Sequence, residues 1–222
     1  MKTKLTFNFL LIFLTFGTLQ SFAQKKTDDF SIEYSIELGE TDDPNMEMAK
    51  SMMANSTMSF AFKGEKVRFV MDMGAISKTV SVVDNKAKKG VVLMDMMGIQ
   101  MATVMEEKDF EDYGESDATE IEKLDDTKTV LGYKCKHAKI TSAEGSVTEV
   151  WYTEKIKPGT YKNDMAADFK DLGGFPLIMS VDDGQMPMTM TATAINDGLS
   201  DDLFSTEVPE GYEVQTMEEL NK

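Results

Sequence analysis

The side chains that could do chemistry in this chain are mostly thioethers. Five methionines fall within fifteen residues in VVLMDMMGIQMATVM (91–105), three more in QMPMTM (185–190) and four in MEMAKSMM (46–53). The spacing of Met186, Met188 and Met190 puts three sulfurs on one face of a strand. Soft thioethers select Cu(I), so a copper site is one reading. Methionine is also a flexible gap-filler, so ordinary core is a second. The third is a surface that moulds itself to varied apolar guests, as promiscuous binders do. Leu, Ile and Val specify a rigid core better than methionine. These readings lead to different functions, and composition alone leaves all three open.

Other reactive side chains are scarce. Cys135 is the only cysteine, His137 the only histidine and Arg68 the only arginine. Cys135 and His137 lie two apart and share a strand face, but two ligands fall short of a zinc site. A Cys–His nucleophile pair needs an orienting third group and an oxyanion hole. No motif supplies them, and neither a phosphate-cradling glycine loop nor a nucleophile elbow is present. We therefore expect a protein that is not an enzyme, with no catalytic residue, no metal and no cofactor. One cysteine also excludes an internal disulfide, so the fold must rest on its hydrophobic core.

Charge narrows the partners. The formal net charge is −16, which argues against nucleic acid because phosphate binding needs a basic surface. The acids spread over many short clusters and read as solvated loops. None alternates acids with a glycine as a calcium-binding loop does.

The opening MKTKLTFNFLLIFLTFGTLQSFAQ has Lys2 and Lys4, an apolar run of about fifteen residues and Ser21-Phe22-Ala23. This pattern predicts a secretory leader over residues 1–23, cleaved after Ala23. The run is shorter than the roughly 20 residues of a membrane-spanning helix, and no later segment is long and apolar enough to span. No cysteine stands at the cleavage point to carry a lipid anchor. The expected product is a single domain, residues 24–222, in the periplasm or secreted from a bacterial envelope. Loss of the two lysines takes its charge to −18.

Strands must position the methionines. DFSIEYSIEL alternates Phe30, Ile32, Tyr34, Ile36 and Leu38 with polar residues, the period-2 pattern of a half-buried strand. TMSFAFKGEKVRFVMDM predicts a hairpin turning at Lys63-Gly64-Glu65, and SKTVSVVDNKAKKGVVLMD another bending at Asp84-Asn85-Lys86. Further strands are expected over 99–106, 119–124, 128–142, 146–156, 176–182 and 186–195, with Asp183-Gly184 as a hairpin turn. Short helices are expected near 44–54, opened by Asp43 and Pro44, and near 163–172, with a last turn in TMEELNK.

Three stretches also resemble known proteins. FAFKGEKVRFVM (60–71) resembles the second hairpin of the lipoprotein-localisation superfamily, LolA and LolB. VLGYKCKHAKI with EVWYTEKI resembles exported bacterial proteins grouped as domain of unknown function 4412, and DDLFSTEVPEGYEV resembles the closing segment shared by many such families. The resemblance implies a mainly β fold: a curved antiparallel sheet, an incomplete β-barrel of about ten or eleven strands, with two or three short helices on its concave side. It also implies an apolar cavity holding a lipid or the acyl chain of a lipoprotein. We expect that cavity to be lined by Phe60, Phe62, Phe69, Met71, Met101, Met105, Met186, Met188 and Met190, with Arg68 as a polar contact, in a monomer. A periplasmic Cu(I)-handling protein and a ligand-free envelope interaction module are the alternatives.

Overall fold

The computed structural model describes residues 29–40, 44–111, 120–143, 145–163, 166–181 and 187–220. The leader, Asp43, the Asp183-Gly184 turn and Met186 lie outside the described residues. Strands dominate, as alternation predicts: β1 (Asp29–Leu38), β2 (Thr57–Lys63), β3 (Lys66–Asp72), β4 (Ser77–Asp84), β5 (Lys89–Met96) and β6 (Ile99–Met105). After these come β7 (Glu120–Val130), β8 (Tyr133–Thr141), β9 (Val147–Thr153), β10 (Phe175–Val181), β11 (Met188–Asp197) and β12 (Glu213–Thr216). Helix α1 (Pro44–Met52) joins β1 to β2, and α2 (Met217–Leu220) follows β12.

The twelve strands form one curved, unclosed sheet in the order β12-β6-β5-β4-β3-β2-β1-β11-β10-β9-β8-β7. Neighbours are sequential hairpins except at two places. The chain returns from β11 to pair with β1, and β12 runs parallel to β6. The short β12 is the strand that alternation did not anticipate. A second refinement concerns 128–142, expected as one strand. It breaks at Leu131-Gly132, both at positive φ (48° and 81°), the tight-turn geometry that folds β7 onto β8.

Register assigns every side chain to a face. The inner face carries Phe30, Ile32 and Tyr34 of β1, Met58, Phe60 and Phe62 of β2, and Val67, Phe69 and Met71 of β3. Its aromatic centre is tight: the Phe60 and Phe69 rings are 5.1 Å apart, and Phe175 stands edge-on to Phe60 at 5.4 Å and to Phe62 at 5.2 Å. Edge-to-face pairs of this kind add to area burial because ring edge and ring face carry opposite partial charge. Ile156, Ala166, Phe169 and Leu172, from the segment ending in a 3-10 helix over Ala167–Leu172, complete this core.

The other half of the sheet is covered on both sides. On the inner side the 3-10 turn Glu107–Phe110 and α2 bring Phe110 and Met217 onto Val83 and Met105. On the outer side a C-terminal strap packs Phe204, Leu199, Val208 and Tyr212 over Ala61, Val82, Val91 and Ala102. The strap is tied down at Lys63, whose Nζ donates to the Leu199 carbonyl at 2.6 Å and pairs with Asp201 at 3.0 Å.

Candidate functional site

Cross-strand register turns scattered methionines into a belt. On the inner face Met58 pairs with Met71, Met71 with Thr79, Thr79 with Met94, and Met94 with Met101, one continuous row over β2 to β6. On the other side of β1, Met190 pairs with Met179 and Met188 with Val181. Met71, Met94 and Met101 are only partly buried. At the same end of the sheet the β5–β6 turn exposes Met97 by 86% and Ile99 by 65%, and α1 exposes Met48 by 68%. Apolar side chains so open to water are not serving as core.

The belt runs into a cavity. Met58, Phe60, Ile140, Met179, Val181 and Met190 form its sheet side, with Thr148, while Phe169 and Asp168 of the 3-10 helix close over it. Its volume is about 170 Å³ and it is partly open to solvent. At roughly 30 Å³ per water-sized group, it holds about six such groups.

The expected lining residues divide accordingly. Phe60 and Met190 line the cavity, and Met71 and Met101 lie in the belt. Met188 shares the inner face. Phe62, Phe69 and Met105 share it too but are buried in packed core. Met58, Met94, Met179 and Phe169 belong to the site without having been singled out. Alternation already put Met58 in phase with Phe60, whereas Phe169 lies in the short helix expected near 163–172, and a local pattern does not say which strands that helix covers.

Arg68 requires a correction. It alternates with Val67 and Phe69 and therefore points to the outer face, on the side opposite the cavity. There it lines a separate groove of about 410 Å³ with Val80, Val82, Leu93, Leu203 and Val208. Burial lowers the pKa of its guanidinium.

Cys135 and His137 do share a face, the outer one, with Trp151. The imidazole stacks on the indole at 4.3 Å with planes 4° apart, and Lys128 Nζ sits 4.1 Å from the same ring. Asp126 and Glu149 carboxylate oxygens each approach one ring nitrogen to 3.5 Å. The Cys135 thiol is fully buried and burial raises its pKa. A low-pKa thiolate is what a cysteine nucleophile needs, and this site works against it. Tyr152, the next residue after Trp151, points inward and is buried.

The family described as "Domain of unknown function (DUF4412)" matches residues 44–212. No curated protein matches the chain. Among solved structures, PNGF-II in P21 and C2 crystal forms aligns with a TM-score of 0.48 in each case, at 17% and 15% identity. The alignments cover 86% and 87% of this chain but 32% and 31% of PNGF-II, so the chain spans about a third of that protein. A crystal structure of a LolA superfamily protein from Nitrosomonas europaea aligns with a TM-score of 0.30 at 11% identity, over 82% of this chain and 94% of the other.

Proposed function

This chain belongs to the family described as domain of unknown function (DUF4412), and on that premise we propose that it is an exported, non-enzymatic binding protein for an apolar chain. Lipid, or the acyl chain of a lipoprotein, is the ligand class. The methionine belt carries this reading. A row of four methionines in register over β2 to β6, leading through Met58 into a methionine-walled cavity, is an adaptable apolar track open to solvent on one side. Flexible thioethers suit guests of varied shape. The leader pattern supports export to the periplasm or beyond.

Magnitudes define how such a ligand is held. The cavity admits about six carbons, so the end of an acyl chain enters beneath Phe169 while the rest lies along Met71, Met94 and Met101. Burying six methylenes at about 0.8 kcal/mol each offers about 5 kcal/mol before association costs. Belt contact adds to that, and micromolar affinity is the scale expected for the whole chain.

The experiment is titration with a fluorescent fatty-acid analogue. Met94→Asp puts a carboxylate on the belt and should weaken binding at least tenfold, because a charge there must be desolvated by the ligand. Thr189→Asp, on the outer face of β11, should leave binding nearly unchanged. Equal effects of the two substitutions, or no binding by the unsubstituted protein, would reduce the belt to surface-exposed core.

A further inference from the structure

The outer face holds a second cavity that the apolar-chain reading does not use. Its floor is Val80 and Val82 of β4 and Leu93 of β5, its far wall is Leu203 and Val208 of the strap, and Arg68 stands on β3. Arg68 is the only arginine of the chain and it is partly buried. Among the described residues its guanidinium has no hydrogen bond and no ion pair. The basic residues nearby are satisfied differently: Lys63 holds Asp201 and the Leu199 carbonyl, and Lys66 faces Asp84. Asp202 and Glu207 border the groove, yet neither comes within ion-pair distance of Arg68.

We propose that this groove binds a single-chain carboxylate, the guanidinium gripping the carboxylate and the alkyl chain lying along Val80, Val82 and Leu93. A partly desolvated charge with no counter-ion among the described residues is unfavourable, and an incoming anion relieves it. The planar guanidinium matches a carboxylate with two parallel hydrogen bonds, which a lysine cannot reproduce. Val80, Val82, Leu93, Leu203, Val208 and Pro209 give the groove an apolar stretch for an alkyl chain, while Asp202, Ser205 and Glu207 supply its polar border. The exposed Asp202 and Glu207 carboxylates at the rim, and the net charge of −16, select a singly charged ligand over a phosphate dianion. At roughly 30 Å³ per water-sized group, 410 Å³ admits about fourteen such groups, room for an anion about the size of decanoate. This site is independent of the inner belt, and its existence does not rest on that reading.

The test is titration of the full exported chain with decanoate below its micellar concentration, read by calorimetry and by amide shifts in ¹H–¹⁵N spectra. Saturable binding is expected, with shifts at Val82, Leu93 and Ser205. Arg68→Gln should weaken it about tenfold or more, the scale of one charge-assisted contact. That variant should fold, since it removes a desolvated charge. Arg68→Lys, which keeps the charge and loses the fork, should fall between. Decanol should produce no saturable shift at these residues. Met94→Asp, on the inner face, should leave the groove's affinity unchanged, so failure of the belt reading and of this one are told apart. Equal decanoate affinity of the wild type and Arg68→Gln, shifts confined to Met71, Met94 and Met179, or no saturable binding would each overturn the proposal.

Discussion

The Tyr34 hydroxyl donates a hydrogen bond to the Pro176 carbonyl at 2.6 Å, joining β1 to β10 across 142 residues of sequence. Between the two strands lies β11, whose Ala192 is Tyr34's partner in the ladder. Pro176 sits at an irregularity in the β9–β10 pairing. This one contact ties the first strand to the later half of the sheet.

Tyr34→Phe should therefore cost about 1–3 kcal/mol, because the ring still packs but the buried Pro176 carbonyl loses its donor. Burial holds the Tyr34 phenol well above its ordinary pKa of 10.0. The folded state keeps that proton while the unfolded chain releases it above pH 10. Stability is then fully present below pH 10 and falls as pH rises further, by up to about 1.4 kcal/mol per pH unit. Tyr161, raised to about 12 by burial, adds to the same fall. Urea midpoints at pH 8 and above 10 should show Tyr34→Phe less stable at the lower pH and less alkali-sensitive. An unchanged alkaline slope would contradict the assignment.

Phe169 closes the inner cavity and meets Phe175 edge-on at 5.7 Å. Phe169→Ala should lower stability by about 3 kcal/mol or more through the enlarged void. The same void should admit more of an acyl chain. Addition of a saturating fatty acid should raise the melting temperature of the variant more than that of the wild type. If the ligand shifts both equally, Phe169 does not cover the binding path.

Gly174 permits the approach of β10 to the end of β9. A Cβ there would overlap the backbone of Thr153, whose carbonyl cannot swing aside as a flexible side chain could. Gly174→Ala should destabilise by at least about 2 kcal/mol, an overpacking penalty measurable by chemical denaturation. Gly64→Ala, where the added carbon meets nothing but the backbone sits at φ 58°, should cost less, about 1 kcal/mol of left-handed strain.

The buried thiol of Cys135 should be inert. Its full burial and raised pKa both suppress the thiolate. Ellman's reagent at pH 8 should leave it unmodified in the native protein and titrate one thiol in urea. Rapid labelling without denaturant would mean that β8 opens locally.

Anaerobic Cu(I) titration tests the remaining role for the thioethers. The register sets Met58 beside Met71 and Met94 beside Met101, with Thr79 between the two pairs. We expect weak association only. A stoichiometric tight complex lost on Met94→Leu, which keeps apolar bulk and removes sulfur, would turn the belt into a metal site.

Period-2 alternation by itself determined most strands and the face of nearly every strand side chain. It put Phe60 with Phe62 and Phe69, and Met188 with Met190. Read strictly, it also put Arg68 opposite Phe69, since neighbours on a strand point to opposite sides. Double-phase apolar runs such as Val80-Ser81-Val82-Val83 and Val91-Val92-Leu93 carried a further signal, because a strand covered on both faces loses its alternation. What no local pattern encodes is which strands meet. The methionine belt exists only because β2 to β6 pair in a register that aligns Met58, Met71, Met94 and Met101, and register is set by turn geometry and by the whole sheet. The pairing of β1 with β11, the parallel β12, the descent of Phe169 onto the inner core and the strap over Arg68 are contacts between distant segments. Their free energy comes from burying apolar surface against a partner the local sequence does not contain, so only the tertiary structure decided them.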